Sequence, residues 1–337
     1  MDKKIKVGLM AYGMSGKIFH APFINAHEGF ELAAITERSK NEAVKDYPNV
    51  TIYKEIEQLL NDDRLDLVII NTPNYTHYEY AKAAINAGKN VLIEKPFSVT
   101  KTEAEELFSL GFRKGLKVLA FQNRRFDSDF LSVQKVIGPG KLGKISEAHI
   151  RFDRYRNEIS AKSFKEDQVP GSGVFYDLGA HIVDQAIALF GIPSEFIKTY
   201  GKYRKETEVD DYAQAHLKYP NGLNVFVTCN MLVVHQQPAF IFYGENGTLI
   251  KNRTDVQESQ LLAGIKPLDS KYGVEEENQE GVLYTIDKNG KVSKELLPSE
   301  KGNYMLLFDE VYKALKEDGD YFVKQNDILG QLSILEK

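Results

Sequence analysis

The sequence predicts an α/β protein of two domains, with a parallel sheet in the first and a mostly antiparallel sheet in the second. Its 337 residues are more than one hydrophobic core usually organises. Over about the first 120 residues, short Val-, Ile- and Leu-rich runs alternate with helical stretches, a pattern typical of a parallel sheet covered on both faces. From residue 195 to about 297 the pattern holds only strand-like segments, which favours a large antiparallel sheet.

Five apolar runs are interpreted as the strands of the first domain: KVGLMA, ELAAIT, DLVIIN, NVLIE and KVLAF. Helical stretches separate them, for example YEYAKAAINAGK and TKTEAEELFSLGFRKG. The first of these two helices ends at Gly88, the usual position of a C-terminal capping glycine.

The second domain begins with a helix predicted at about 128–138 and a half-buried strand in KISEAHIRFDRYR. The segment GSGVFYDLGAHIVDQ predicts another helix. Three turns containing Asn-Gly, in YPNG, GENG and DKNG, separate several of the later strand-like segments. Helices are expected from about 303 and 326, and the sequence leaves open whether the C-terminus at Lys337 is complete.

Composition excludes several classes of protein. The net charge of -5 provides no basic field to hold a nucleic acid backbone. The single cysteine, Cys229, excludes an internal disulfide and a cysteine-based zinc site, and its strand-like surroundings suggest a small buried hydrophobe. No stretch approaches the roughly 20 apolar residues of a membrane span. We therefore expect a cytoplasmic protein with no nucleic acid or membrane partner.

A glycine-containing loop after the first strand suggests a nucleotide site. In VGLMAYGMSGKIFHAPF, Ala11 stands where the dinucleotide fingerprint has its first glycine, and Gly13 and Gly16 supply the other two. We predict that the cofactor contacts the residues of this loop: Tyr12, Gly13, Met14, Ser15 and Gly16. A tight structural turn is the alternative interpretation.

The end of the second strand bears on the choice of cofactor. Glu37 lies about twenty residues past the loop, where an acidic group accepts from the adenosine ribose of NAD. Arg38 follows, and its guanidinium could pair with the 2′-phosphate of NADP. The two residues favour different cofactors, so the prediction is NAD or NADP.

Two further strand ends carry polar residues at the edge where open parallel sheets bind ligands. One contributes Thr72, Pro73, Asn74 and His77, and the other contributes Glu94 and Lys95 before Pro96. A solvated sheet edge would explain such residues equally well if either group stood alone. Because both follow strands of the same sheet as the loop, we assign them to the cofactor site.

The segment GSGVFYDLGAHIVDQ places Asp177 and His181 four residues apart, on one helix face, with Asp184 a further turn on. A metal site, an acid–base centre and a polar surface stripe are all compatible with this spacing. A metal is disfavoured because no other cluster of ligands accompanies the three side chains. Asp184 is interpreted as a supporting residue or a charge on the helix surface.

Taken together, these motifs resemble one known family. The loop with FHAP, then NTPNYTH, EKP and GSGVFYDLGAHIVDQ, are similar in order and spacing to the Gfo/Idh/MocA oxidoreductases. Within that family, AYGMSGKIFHAPF, QNRRFDSDFL and RYRNE resemble the branch of NADP-dependent scyllo-inositol dehydrogenases most. The resemblance covers nearly the whole chain, and Ala11 in place of a loop glycine is its one departure.

The resemblance implies a Rossmann domain over residues 1–123. It also implies a substrate-binding and oligomerisation domain over residues 124–337, so a homodimer or homotetramer through the C-terminal sheet is expected. The implied activity is hydride exchange between a nicotinamide and a secondary hydroxyl or ketone of a sugar or cyclic polyol. Lys95, Asp177 and His181 match the family's catalytic positions, and a cis peptide bond between Lys95 and Pro96 is expected.

Each of these three residues suits a part of that chemistry. A neutral imidazole at His181 could accept the hydroxyl proton near neutral pH. Lys95 could stabilise negative charge on the substrate oxygen, and Asp177 could hold a neighbouring hydroxyl. No metal is required.

Recognition of a polyol needs further donors and acceptors. The candidates are Asn123, Arg124, Arg125, Tyr155 and Arg156, besides Asp177. Arg125 could instead form a structural ion pair with Asp127 or Asp129, and His20 is interpreted as structural.

Two other functions are compatible with the same motifs. One is a sensor that binds a nicotinamide cofactor and a sugar without chemistry, and the other is an NAD-dependent glycosidase. The presence of Lys95, Asp177 and His181 together argues against the sensor.

Overall fold

The computed structural model describes residues 3–159, 166–317 and 319–337. The chain forms two compact units. Unit 1 comprises Met1–Asn123, Glu258–Tyr272 and Asn303–Leu329. Unit 2 comprises Arg124–Gln257, Gly273–Gly302 and Gly330–Lys337.

Unit 1 contains a six-stranded sheet in which every strand pair is parallel. Its strands are β1 (Ile5–Leu9), β2 (Phe30–Thr36), β3 (Thr51–Tyr53), β4 (Leu67–Ile70), β5 (Asn90–Ile93) and β6 (Val118–Ala120). The strand order β3-β2-β1-β4-β5-β6 is that of a doubly wound dinucleotide-binding fold, as predicted. The order reverses between β1 and β4, so a ligand is expected at the carboxyl ends of these strands.

Ten α-helices accompany the strands in the described residues. They are α1 (Ala21–Ala26), α2 (Ala43–Asp46), α3 (Ile56–Leu60), α4 (His77–Asn86), α5 (Lys101–Lys114), α6 (Ser128–Ile137), α7 (Ala180–Phe190), α8 (Gln257–Leu262), α9 (Met305–Lys316) and α10 (Gln325–Leu335). Local sequence explains the bounds of α5. Thr100 and Glu103 form a capping box at its start, and Gly115 ends it in the left-handed conformation at φ 67°.

Unit 2 contains an eight-stranded sheet. Its strands are β7 (Ile145–Asp153), β8 (Glu195–Gly201), β9 (Tyr212–Lys218), β10 (Asn224–Asn230), β11 (Phe240–Gly244), β12 (Gly247–Lys251), β13 (Gly281–Ile286) and β14 (Val292–Leu297). The order is β14-β13-β12-β11-β7-β10-β9-β8. Only the β7–β10 pair is parallel, so the predicted mostly antiparallel sheet is confirmed.

One face of this sheet is covered by helices. α7 packs on β7 and β10, and α6 packs on β12. The inward side chains are fully buried, as the strand alternation requires. Cys229 is among them, and burial raises the pKa of its thiol well above the usual value, in agreement with its interpretation as a buried hydrophobe.

The three predicted Asn-Gly turns each join neighbouring antiparallel strands: β9 to β10, β11 to β12, and β13 to β14. Gly222 and Gly290 have φ of 86° and 80°, which is the reason for glycine at these two turns. The expectation of only strands from 195 to 297 is wrong, because α8 lies within it. Its first turn is capped by the Asp255 carboxylate, which accepts from the Gln257 N–H at 3.0 Å, and so short a helix shows no clear 3.6-residue periodicity.

The other face of the sheet carries a row of six apolar residues and two histidines that crosses all eight strands. Directly paired residues form it: Leu296, Val282, Ile250, Ile241, His149, Phe226, His216 and Ile197. The Phe226 ring stacks between the two imidazoles, with centroids 5.2 Å from His149 and 4.4 Å from His216. We call this set the outer row.

Across the ranges that the structure describes, no helix is both long enough and apolar enough to span a membrane.

Candidate functional site

The loop after β1 leads into a π-helical turn, Gly16–His20, and then into α1. Asn71, directly after β4, holds this loop with its side-chain amide, which bonds both the N–H of Ala11 at 3.0 Å and its carbonyl at 2.8 Å. A Cβ on Gly16 would lie 2.2 Å from the Ala11 carbonyl oxygen and 2.8 Å from the Asn71 amide nitrogen. Close packing therefore requires glycine at position 16.

Gly13 has the opposite surroundings. A Cβ built there would meet no atom within 4 Å, and its φ is not positive, so the fold itself does not require glycine. The space beside its backbone suits the close approach of a pyrophosphate at the start of a helical segment. Met14, next in the loop, is half exposed. The loop thus fits the dinucleotide that its sequence predicts.

Tyr12 lies on the inner side of the loop. Its hydroxyl donates to the Asp46 carboxylate at 2.8 Å, and burial together with this bond raises its pKa. Its phenol group is therefore already used within unit 1.

Glu94, at the end of β5, joins the loop to the EKP segment. Its Oε1 accepts hydrogen bonds from the Ser15 hydroxyl at 2.5 Å and from His20 Nε2 at 2.9 Å, and its Oε2 accepts from the Lys95 N–H at 3.1 Å. Burial on its own would raise the pKa of Glu94, but the bonds from His20 and Ser15 outweigh it and lower the pKa to about 2. The imidazole of His20 is fully buried against Phe121, with centroids 4.4 Å apart. His20 is therefore structural, as predicted, and the partner it holds is Glu94.

The Lys95–Pro96 peptide bond is cis, which confirms that expectation. His77 lies beneath it and bridges two chain segments, with Nδ1 2.8 Å from the Pro96 carbonyl oxygen and Nε2 2.9 Å from the Thr72 carbonyl oxygen. Burial lowers the pKa of His77. The hydrogen bonds to the two carbonyl groups act in the opposite direction, because they favour the protonated imidazole. The imidazole thus ties the segment after β4 to the segment that carries Lys95.

At the end of β2, the two oxygens of Glu37 accept from the N–H groups of Glu42 and Ala43, at 2.9 and 3.2 Å. Its carboxylate therefore caps the start of α2. Arg38 and Lys40 are exposed, and neither forms a hydrogen bond or ion pair with the rest of the described chain. This edge of the sheet therefore offers two uncompensated positive charges.

In unit 2, the predicted helix bearing Asp177 begins with a second π-helical turn, Phe175–Gly179, followed by α7. Asp210 caps it, because its carbonyl and its carboxylate accept from the N–H groups of Val174 and Phe175 at 2.8 and 2.9 Å. Gly173 has φ 96°, and a Cβ there would lie 2.0 Å from the Asp210 carboxylate. The missing side chain at Gly173 therefore leaves the space that the capping carboxylate of Asp210 occupies.

Within residues 171–187, Asp177 is the one residue that is not buried. His181, four residues on, is 5% exposed and lies beside Phe152, with ring centroids 6.3 Å apart. An accessible carboxylate and a nearly enclosed imidazole on successive turns form an arrangement suited to acid–base chemistry. π-helical turns are rare and occur frequently at functional sites.

Asp184 is buried rather than a charge on the helix surface, which corrects that part of the prediction. Its two oxygens accept from Arg125 Nη2 at 2.7 Å and from Arg125 Nε at 2.9 Å. Arg125 therefore pairs with Asp184, a partner that the sequence analysis did not consider. A carboxylate engaged in this way is a poor metal ligand.

Comparisons with known protein families agree with the fold and with the nucleotide site described above. Residues 5–121 match a family model described as an oxidoreductase family with an NAD-binding Rossmann fold, and residues 130–250 match the GFO/IDH/MocA C-terminal domain. The chain belongs to the Gfo/Idh/MocA family of oxidoreductases.

Individual relatives of this Gfo/Idh/MocA oxidoreductase extend over the whole chain. It is 36% identical to the uncharacterized oxidoreductase YdgJ of Escherichia coli, over 100% of this chain and 96% of that one. It is 33% identical to the scyllo-inositol 2-dehydrogenase (NADP(+)) IolW of Bacillus subtilis, over 98% and 92%. A crystal structure of an oxidoreductase from Bacillus cereus is similar with a TM-score of 0.91 and 34% identity, over 98% and 95%.

Sequence reasoning missed Phe152, whose ring lies beside His181 in this oxidoreductase, and two arginines that lie against that ring, Arg154 and Arg253. Phe152, at the end of β7, has the guanidinium carbons of Arg253, Arg154 and Arg124 within 4.3, 5.1 and 5.2 Å of its ring centroid. Arg253 also donates to the Arg151 carbonyl at 2.9 Å. The available signal was the position of Arg154 and Arg253 just after two strands that run in the same direction.

The predicted substrate residues differ in accessibility. Asn123 is buried, and Arg124 donates to Asp127 at 3.1 Å. Tyr155 is 56% exposed, and Arg156 is exposed with its N–H bonded to the Met231 carbonyl at 2.7 Å. Their part in substrate binding stays a prediction.

Proposed function

We propose that this oxidoreductase is an NAD(P)-dependent dehydrogenase of a secondary hydroxyl group in a sugar or cyclic polyol. The observation that carries the proposal is the pair formed by Asp177, the one residue of 171–187 that is not buried, and His181 on the next turn. The relation to IolW, a scyllo-inositol 2-dehydrogenase, supports a polyol as the substrate class.

The nicotinamide, when bound, takes up or delivers hydride. The neutral imidazole of His181 accepts the proton of the reacting hydroxyl in the oxidative direction and returns it in the reverse direction. The Lys95 ammonium donates to the oxygen on which negative charge develops, and Asp177 accepts from a neighbouring hydroxyl. The enclosure of His181 limits competition from water for the same proton.

The proposed cofactor is NADP(H). The sequence cues at the end of β2 conflict, but both oxygens of Glu37 are used by the backbone of the following segment. Arg38 and Lys40 remain as exposed cations without partners in the described chain, and a guanidinium is suited to a phosphate group. The 2′-phosphate therefore has an attractive surface there, while both oxygens of the carboxylate that would hold the ribose hydroxyls of NAD are engaged.

The test is near-ultraviolet absorbance of reduced nicotinamide, with NAD and NADP each assayed against inositols, aldoses, glucosides and their oxidised forms. The expected result is turnover with NADP and one polyol class, lost in Lys95→Met and His181→Gln. Arg38→Ala should lower kcat/KM for NADP about tenfold or more, on the scale of 1.4 kcal/mol, and leave NAD unchanged.

Two outcomes would contradict the proposal. Tight cofactor binding without redox change across the whole panel would favour the sensor. Release of an aglycone without net cofactor reduction would favour the glycosidase. A wild-type protein that prefers NAD over NADP would overturn the cofactor choice alone.

A further inference from the structure

We propose that the Arg125–Asp184 ion pair is a positioning pair: it fixes the rotation of α7 and thereby the direction of the His181 imidazole. The predicted loss of kcat rests on the proposed function. The predicted change in the orientation of His181 does not. Arg125 belongs to the 3₁₀ turn Asn123–Phe126, and Asp184 lies three residues after His181 on α7.

Arg125 and Asp184 contact each other in a bidentate geometry. Two parallel bonds of 2.7 and 2.9 Å join the guanidinium edge to both carboxylate oxygens, and both side chains are more than nine-tenths buried. A bidentate Arg–carboxylate contact specifies orientation as well as distance. Because residues three apart share a helix face, holding Asp184 also holds the face that carries His181.

Other contacts hold the same helix. The Gln185 amide donates to the Arg124 carbonyl at 3.1 Å, so the turn that carries Arg125 binds two successive residues of α7. The Gln331 amide donates to the carbonyl of Ala180, next to His181, at 2.6 Å. On a helix that is buried from Ala180 to Ile187, the side chains of Asp184 and Gln185 are thus both used to anchor it.

The π-helical turn before α7 explains why an anchor is needed. This turn closes its hydrogen bonds over five residues, one more than an α-helix, and so contains a residue more than a regular turn. If it relaxed to α-helical geometry, the following residues would rotate by about 100°, the angle for one residue, relative to Asp177. The Arg125–Asp184 pair resists this rotation beyond the turn.

A contribution to the stability of the fold does not by itself explain the buried ion pair between Arg125 and Asp184. Desolvation of two charges offsets much of their attraction, and hydrophobic replacements of similar volume are often neutral or stabilising. The double variant Arg125→Met/Asp184→Leu therefore separates the two roles, because a purely structural pair would leave the kcat of the folded protein unchanged.

We expect this variant to keep its Tm and its dissociation constant for NADPH, while kcat falls about 100-fold, the cost of a misplacement of about 1 Å. KM should change much less than kcat. Arg125→Lys keeps the charge without the bidentate edge and should show most of the same loss. The matched control is Lys251→Met/Glu275→Leu, which removes another buried pair, 2.8 Å apart, and should leave kcat per folded molecule unchanged.

A second readout does not need turnover. The imidazole signal of His181 in NMR spectra, assigned by its absence in His181→Gln, should shift or split in the double variant, while the signals of His149 and His216 stay in place. An unchanged His181 signal would overturn the inference, as would wild-type kcat in the double variant or in Arg125→Lys. If the wild type turns over no polyol, the proposed function fails, and the NMR comparison still decides the positioning role.

Discussion

At the scale of single residues, Glu94 illustrates how a buried carboxylate stays ionised. It receives three hydrogen bonds, from Ser15, His20 and the Lys95 N–H, and the bonds from His20 and Ser15 lower its pKa by more than burial raises it. The same bonds join the glycine loop, the π-helical turn and the segment of Lys95. A residue that the sequence indicated only as part of a motif is thus the junction of the predicted cofactor site.

Glu94→Gln tests this junction through pH. The pKa of Glu94 is about 2 in the folded protein and 4.5 ordinarily, so its ionised form stabilises the fold above pH 4.5, and this contribution is lost as the pH falls toward 2. We expect the substitution to lower the free energy of unfolding by about 1–3 kcal/mol at pH 7, and by progressively less below pH 4.5. Urea unfolding at several pH values measures the difference.

The control for this substitution is Glu57→Gln, at an exposed carboxylate of the same unit. It should change the free energy of unfolding by less than about 0.5 kcal/mol at every pH. A Glu94→Gln deficit that is constant from pH 7 to pH 3 would show that the ionised carboxylate is not the stabilising group.

At the scale of elements, the two glycines of the loop separate packing from ligand approach. Gly16 has no room for a Cβ because the Ala11 carbonyl and Asn71 lie against it, whereas the space beside Gly13 is open. The dinucleotide fingerprint assigns these two positions different roles, close backbone approach at Gly13 and close helix–strand packing at Gly16. The surroundings of the two glycines agree with that assignment.

Gly13→Ala should therefore fold normally and bind cofactor poorly. We expect its free energy of unfolding to stay within about 0.5 kcal/mol of the wild type, because the new methyl group meets no protein atom. Its dissociation constant for NADPH should rise about tenfold or more, equivalent to 1.4 kcal/mol. Fluorescence titration of NADPH and thermal unfolding measure the two quantities.

Ala11→Gly is the matched control and should leave both quantities unchanged. If Gly13→Ala bound NADPH as tightly as the wild type, that result would argue against a pyrophosphate at this position.

Elements were predicted better than partnerships between side chains. Strands such as β4 and β5, and the three Asn-Gly hairpins, follow from local patterns that a single sequence contains. The partner of Arg125 could not be predicted from local patterns, because Asp127 and Asp129 are close to it in sequence. Asp184 comes close to Arg125 only when the chain folds and α7 packs. Arg253 was missed because its contact with Phe152 forms only through tertiary folding, and the short helix α8 was missed because six residues show no clear periodicity.

At the scale of the whole molecule, the two faces of the eight-stranded sheet differ. The inner face is covered by α6 and α7, while the outer row crosses the opposite face. Its end residues, Ile197 and Leu296, are 59% and 58% exposed in the single chain. A row of mostly apolar side chains that crosses a whole sheet face marks an interaction site more often than it stays in water. We propose a second copy of the chain as its occupant, since the resemblance to the family implies assembly through this sheet.

Ile241→Lys tests this assembly, because Ile241 lies in the middle strands of the outer row, next to His149. We expect light scattering coupled to size exclusion to give the mass of two or four chains for the wild type and a smaller mass for the variant, since a buried lysine without a partner costs several kcal/mol. The control is Phe112→Lys, at an apolar residue that is 88% exposed on α5 of the other unit, and it should leave the mass unchanged. A wild-type chain that is monomeric at micromolar concentration would refute the assembly. An Ile241→Lys variant that keeps the wild-type mass would place the interface on another surface.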